Sequence, residues 1–138
     1  QILPSVNDLS AIQYHIKNVV TAQRTLLISG LTAEERKAQY DIIESSRAAY
    51  KGDITHYDTL PKSIEAQSAW KRFRDNLDAV VDINNQAMEK IKDWEKNGNE
   101  IQHQQACDFI MHKTGSKFQE IFAALEQEGT DQKRSHEE

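Results

Sequence analysis

Two polar side chains interrupt apolar patterns from which charged residues are otherwise excluded. Arg47 and Asn84 each fall within a run of apolar residues spaced three and four apart. A buried guanidinium needs partners because desolvating it alone costs several kcal/mol, and a carboxylate ligand would satisfy it with two parallel hydrogen bonds. Alternatively, Arg47 reaches solvent from the edge of its stripe or pairs with Asp78 or Asp82, and Asn84 only fixes helix register.

His103 and Cys107 are four residues apart, so on a helix they share one face. With His15 and His112 they are the candidates for a haem or metal site. The sequence has no Cys-x-x-Cys-His for covalent haem and no Glu-x-x-His pair of the di-iron kind. A lone His/Cys pair is weak evidence for zinc, which takes four ligands in structural sites. We therefore expect no cofactor, and a haem- or metal-binding bundle for redox or gas sensing is the alternative.

Catalytic arrangements are missing from the sequence. It contains no glycine-rich phosphate loop, no nucleophile elbow and no His-Glu-x-x-His. The carboxylates are spread among lysines and arginines, as on solvated helix faces. We expect that the protein is not an enzyme.

Composition predicts a helical domain. The chain has 138 residues, of which 38% are hydrophobic and 28% charged, with only five glycines and two prolines, which favours long helices over sheet. A net charge of −5 argues against nucleic acid as a partner. The sequence contains no run of eighteen apolar residues, which is about the length that a membrane-spanning helix needs. The first residue is Gln1 rather than methionine, which suggests a piece cut from a longer protein.

Helix boundaries can be predicted from local signals. Ser29-Gly30 is expected to end the first helix with a left-handed glycine, and Thr32 with Glu35 forms a capping box for the second. Leu60-Pro61 and Asn97-Gly98-Asn99 supply the other breaks. The predicted helices lie near 6–29, 33–57, 63–96 and 100–128.

Each predicted helix carries an apolar stripe with helical spacing. The stripes are Leu9, Ile12, Ile16, Val19, Gln23 and Leu26; Tyr40, Ile43, Arg47, Tyr50, Ile54 and Tyr57; Trp70, Phe73, Leu77, Val80, Asn84, Ala87, Ile91 and Trp94; and Ile101, Met111, Phe118, Phe122 and Leu125, widened by Cys107, Ile110, Thr114 and Ile121. Four such helices joined by short loops predict an all-α fold, an antiparallel up-down-up-down four-helix bundle, as a single domain over residues 1–138.

The segments AQRTLLISGLTAEERKAQY and LPKSIEAQSAWKRF carry a family resemblance. They resemble the four-helix-bundle sensor domain of bacterial methyl-accepting chemotaxis proteins, over roughly residues 9–95. The resemblance implies a periplasmic domain of an inner-membrane protein, held between two transmembrane helices, with both chain ends near the membrane and the turn at Ser29-Gly30 distal to it. It also implies a homodimer coupled to cytoplasmic signalling proteins. Similar modules occur on histidine kinases and cyclases, so the output part stays open.

Candidate ligand-binding residues follow from counting 1.5 Å of rise per residue from the distal turn. One level gathers His15 or Ile16 with Arg47, Asn84 and Thr114. A second level, nearer the turn, contains Gln23, Arg24, Tyr40, Gln104 and Gln105.

Arg24 lies outside the apolar stripe of the first helix, so it could face a dimer partner. It resembles the arginines with which relatives bind small carboxylates across a dimer interface, but it could instead link to Glu34 or Glu35 across the turn.

The function that the sequence favours is signal input. A small extracellular ligand, a carboxylate or an amino acid, or else a partner binding protein, would shift a dimeric bundle between two states according to its different affinity for each. A small displacement of the fourth helix would carry the signal to the cytoplasmic part. A structural dimerisation module without a small ligand is a further alternative.

Overall fold

The computed structural model describes the backbone of residues 4–137 and the side chains of residues 8–124, 126 and 127. Every secondary-structure element in this part of the chain is a helix, which confirms the all-α prediction. The elements are α1 (Pro4–Leu26), α2 (Ala33–Asp58), α3 (Ile64–Asn97), α4 (Glu100–Asp108), a π-helical turn (Phe109–Thr114) and α5 (Gly115–Glu137). The last three follow one another without a break and together form the fourth predicted helix.

The core is built from the predicted stripes. All six stripe residues of α1 are buried, and so are those of α3 except Leu77, which is half-buried. In α2, Tyr40 and Arg47 are half-buried and the other four are buried. α1 packs against α2, α3 packs against α4 and α5, and α1 also contacts α5. α2 and α3 approach each other less closely, and a groove runs between them.

Two predicted helix starts are confirmed in atomic detail. The Thr32 hydroxyl accepts from the Glu35 N–H at 3.1 Å, and a Glu35 carboxylate oxygen accepts from the Thr32 N–H at 2.9 Å. The backbone hydrogen bond from Thr32 lowers the pKa of Glu35. Ser63 caps α3 by accepting from the Ala66 N–H at 3.1 Å. These side chains satisfy backbone donors that the first helical turn leaves open.

The predicted end of the first helix is wrong. α1 ends at Leu26 rather than near residue 29, and Gly30 does not adopt a left-handed conformation. Backbone hydrogen bonds between residues three apart end the helix, and in one of them the Leu27 N–H donates to the Arg24 carbonyl at 3.1 Å. The carbonyls of Leu26 and Ile28 then accept from the guanidinium of Arg36, at 3.1 and 3.0 Å. Because a side chain of α2 satisfies these carbonyls, no left-handed glycine is needed.

The predicted stripe of the fourth helix is partly wrong. Ile101 is 70% exposed and Met111 is 53% exposed, although Phe118 and Ile121 are buried as expected. Met111 lies within the π turn, which holds one residue more than an α turn, so α-helical spacing cannot predict its direction. Ile101 lies before the π turn, on a different side of α4 from the buried Ala106. The side chain of Leu125, which was also placed in this stripe, lies outside the described residues.

Gly98 provides a test of the α3–α4 connection. It adopts φ +63° and its N–H donates to the Trp94 carbonyl at 2.7 Å. Gly98→Ala should reduce the free energy of unfolding by about 1 kcal/mol, because a Cβ is disfavoured in this conformation. Gly30→Ala is the matched control, since Gly30 lacks the positive φ and an added Cβ would meet nothing within 4 Å. Urea denaturation of both variants measures the difference, and equal midpoints would contradict it.

Candidate functional site

A small groove between α1 and α5 collects cationic side chains, and we call it the α1–α5 groove. Its volume is about 290 Å³. Lys17, Thr21 and Arg24 line it from α1 at helical spacing, and Phe118 and Phe122 supply apolar surface from α5. Among the side chains that the structure describes, no carboxylate lines this groove. It therefore has the charge that a small anion requires.

Arg24 lies against the backbone of α5 in this groove. A Cβ built on Gly115 would lie 3.8 Å from Nη2 of Arg24 and 3.7 Å from the carbonyl oxygen of Ile110. Among the described side chains, neither Arg24 nor Lys17 forms an ion pair. The alternative link from Arg24 to Glu34 or Glu35 is not formed. Arg24 thus keeps its hydrogen-bonding capacity for a ligand.

Arg47 lines a second and larger groove, of about 970 Å³, which we call the α2–α3 groove. Its Nη2 atom is buried and has no hydrogen-bond partner among the described residues. The alternative partners considered for Arg47 do not pair with it, and Asp82 instead accepts from the Gln86 amide at 2.7 Å. Burial raises the pKa of Tyr50, and the charge of Arg47 lowers it in part.

Three other predicted ligand-binding residues lie in the core. Gln23 and Thr114 are fully buried, and Asn84 is 4% exposed. Within the described part of the chain, their side-chain polar atoms have no hydrogen-bond partner. None of the three lines either groove. Arg47, Asn84 and Thr114 were predicted to lie together at one height along the helices. Arg47 lines a groove, whereas Asn84 and Thr114 are buried beneath the surface.

The histidines proposed for haem or metal are dispersed. His15 approaches Asp53, with Nε2 3.8 Å from a carboxylate oxygen, and His112 is exposed. His103 Nε2 lies 2.7 Å from the Leu27 carbonyl oxygen and 3.6 Å from Sγ of Cys107. The described residues contain no group of three or more His, Cys, Asp or Glu that could hold a metal ion.

His103 and Cys107 are parts of the packing between α4 and its neighbours. His103 ties α4 to the end of α1 through the Leu27 carbonyl and stacks on Trp94 with ring centroids 4.3 Å apart. Burial raises the pKa of the Cys107 thiol, which keeps it protonated at neutral pH.

Sequence reasoning missed a cluster of side chains that joins the start of α2 to the end of α3. Nη1 of Arg36 lies 2.5 Å from a carboxylate oxygen of Glu95, and the Tyr40 hydroxyl donates to the other oxygen. The Trp94 ring lies beneath the guanidinium, 5.0 Å from its central carbon. One signal could have found it: a cation near the N-terminus of a helix opposes the helix dipole, so Arg36 is expected to have a tertiary partner.

Comparison of the chain with protein-family models, curated proteins and solved structures gave no match. None of the described helices combines the length and apolar character that crossing a membrane requires.

Removing the guanidinium of Arg36 should cost far more than removing an exposed cation. Arg36→Met removes the donor of two backbone carbonyls and the cationic partner of Glu95, and we expect a loss of about 2 kcal/mol in the free energy of unfolding. Lys37→Met is the control, because its pair with Asp41 is exposed and solvent screening leaves such a pair with little effect on stability. Urea titrations measure both, and similar losses in the two variants would refute the capping role.

Tyr40 should make stability fall at alkaline pH. Burial, followed by the hydrogen bond to Glu95, raises its pKa well above the usual value. The unfolded chain therefore loses this proton first, at about pH 10, and stability is lost as the pH rises above that value. Between pH 9 and 11, the wild type should lose more free energy of unfolding than Tyr40→Phe does. Tyr14→Phe, at a 63% exposed position, should follow the wild type, and parallel curves for all three proteins would disprove the prediction.

Proposed function

We propose that the chain is the signal-input domain of a transmembrane chemoreceptor, and that it binds small carboxylates in the α1–α5 groove. We also propose that its helices form an antiparallel up-down-up-down four-helix bundle. Two contacts between opposite ends of neighbouring helices support that arrangement: Asp8 near the start of α1 meets His56 near the end of α2 at 2.8 Å, and Arg36 near the start of α2 meets Glu95 near the end of α3.

The observation that carries the binding proposal is the charge of the groove. Lys17 and Arg24 are both cationic and lie seven residues apart on one helix face, and no described carboxylate lies beside them in the groove. An anion that binds between them is attracted by both charges. Arg24 can hold a carboxylate through two parallel hydrogen bonds, and Lys17 adds a point charge.

The uncharged residues of the groove determine which groups the ligand can carry besides its carboxylate. Thr21 offers a hydroxyl and Gln119 an amide, and Phe118 and Phe122 give apolar contact. The Lys17 ammonium already lies 5.8 Å from the Phe122 ring centroid. A carboxylate with a small apolar body fits this combination better than a polyanion does.

The resemblance over residues 9–95 supports the receptor context. Arg24 belongs to the Ala-Gln-Arg-Thr-Leu-Leu segment of that resemblance. We propose a periplasmic domain that dimerises, is anchored in the inner membrane by flanking helices, and passes a displacement of α5 to cytoplasmic signalling proteins. A ligand would act by binding one of two dimer arrangements more tightly than the other. Neither a catalytic residue nor a cofactor is required.

The proposal predicts that binding depends on the two cations of the groove. Acetate, succinate and benzoate are titrated calorimetrically into the wild type and into Arg24→Gln and Lys17→Gln. Each substitution should weaken binding of the preferred carboxylate about 10-fold or more, because a hydrogen bond to a charged group contributes roughly 1.5–3 kcal/mol. Lys71→Gln, at an exposed position of α3 outside the groove, should bind like the wild type.

Two results would count against this function. The carboxylate site is refuted if no carboxylate of the set binds, or if both groove variants bind as well as the wild type. A Soret band in the absorbance spectrum of the purified protein would instead support the haem-binding alternative.

A further inference from the structure

Four side chains, one from each of four helical segments, hold buried polar atoms that have no hydrogen-bond partner among the described residues. They are Gln23 of α1, Arg47 of α2, Asn84 of α3 and Thr114 at the end of the π turn. Gln23 and Thr114 are fully buried and Asn84 is nearly so, while Arg47 is half-buried with its Nη2 atom inside. Buried polar groups are nearly always bonded to protein or to ordered water, so these atoms require a partner.

Contacts between α3 and the fourth helix bring Asn84 to the level of Thr114. Two pairs set the register: the rings of Trp94 and His103, with centroids 4.3 Å apart, and Lys90 with Phe109, whose ring centroid is 5.2 Å from the ammonium nitrogen. The pairs follow the two helices in opposite directions. Six residues before the second pair on α3 is Asn84, and five residues after it on the π turn is Thr114.

The contact between Arg24 and Gly115 brings Gln23 to the same level. Nη2 of Arg24 lies 3.8 Å from a Cβ built on Gly115, in the α1–α5 groove. Gln23 and Thr114 are the residues immediately before these two, and both are buried. Because successive helical residues turn by about 100°, Gln23 and Thr114 face the core beneath that contact.

Arg47 approaches this level from α2. Lys92 of α3 lies over the ring of Tyr40, 5.8 Å from its centroid. Arg47 comes seven residues after Tyr40, and Asn85 comes seven residues before Lys92, and both line the α2–α3 groove. Asn84, the buried neighbour of Asn85, therefore lies close to the level of Arg47.

Water satisfies this mixture of groups better than an ion does. The unpaired atoms include N–H donors of Gln23, Arg47 and Asn84, amide oxygens of Gln23 and Asn84, and the hydroxyl of Thr114. An anion only accepts hydrogen bonds and a metal cation binds only the oxygens, whereas water both donates and accepts. A buried water molecule typically makes about three hydrogen bonds to such groups.

The charge of Arg47 makes a dry arrangement especially costly. A buried charge without a partner costs more free energy than a neutral polar group in the same state. Because α2 and α3 approach each other less closely than the other neighbouring helices do, the α2–α3 groove brings solvent to the Arg47 side chain. That groove gives water a route toward the buried atoms.

We propose that Gln23, Arg47, Asn84 and Thr114 form an internal hydration site, which holds ordered water molecules between the helices. The water bridges donors and acceptors that come from different helices, and so joins them through a polar level within an otherwise apolar core. The site includes neither Lys17 nor Arg24, so it stands independently of the proposed carboxylate site.

Two measurements on the wild-type protein test the site directly. A high-resolution crystal structure should show water within hydrogen-bond distance of at least two of the four side chains. Oxygen-17 relaxation dispersion of the solvent, which counts water molecules held inside a protein, should give a signal to which this site contributes. A crystal structure in which the four side chains bond only to one another, or enclose no water, would overturn the proposal.

Variants show whether the water depends on these side chains. Thr114→Val and Asn84→Leu should each lower the relaxation amplitude by the equivalent of at least one water molecule. Thr55→Val and Asn85→Leu make the same chemical changes at exposed positions and should leave the amplitude as in the wild type. Unchanged amplitudes in both core variants would contradict the proposal.

Stability gives a further readout, and Thr114→Val is suited to it because valine and threonine have nearly the same shape. If the hydroxyl is bonded to water, its removal should lower the urea midpoint of unfolding, since the water loses a partner. If the hydroxyl is dry, its removal should raise the midpoint, because a buried unpaired group disappears, and that result would overturn the assignment. Melting curves establish that each variant is folded, and the wild-type crystal structure decides the question if Asn84→Leu does not fold.

Discussion

The Arg36 guanidinium connects the end of α1, the start of α2 and the end of α3. It donates to carbonyls that the end of α1 leaves open and pairs with Glu95 of α3, 59 residues away. A cation is favoured at that end of α1, because the C-terminus of a helix carries partial negative charge. This one side chain therefore helps to hold the start of α2 against both neighbours. Since Tyr40 bonds to the same Glu95 and lines the α2–α3 groove, the geometry of that groove depends on it too.

Local features of the fold were predictable because their causes are local. Thr32 and Ser63 cap helices through atoms only three residues away, and the stripes of α1 and α3 follow the period of an α-helix. The end of α1 was not predictable in the same way, because the group that satisfies its carbonyls comes from another helix. The exposure of Met111 was missed for a different reason, since the π turn is not visible in a spacing pattern that assumes 3.6 residues per turn. Ile101, which lies before the π turn, was assigned to the wrong side of α4.

The candidate site was only partly predictable. Arg47 was found because its charge interrupts an apolar stripe, and Arg24 was found by its height on the first helix and by the family resemblance. Both line grooves. Asn84 and Thr114 were placed beside Arg47 by helix height, but neither reaches the groove that Arg47 lines. Height is set by counting residues, whereas the direction of a side chain turns by about 100° per residue. Lys17 was missed, although its spacing to Thr21 and Arg24 places all three on one helix face.

The π turn between α4 and α5 holds one residue more than an α-helix needs to join the same two buried surfaces. Ala106 before it and Phe118 after it both reach the core, so the extra residue is absorbed within Phe109–Thr114. A natural variant that is one residue shorter in this segment could form a regular helix and still bury both sides. Elsewhere in the same helix, the loss of one residue would rotate everything after it by about 100°. This short segment is therefore where the length of the fourth helix is free to change during evolution.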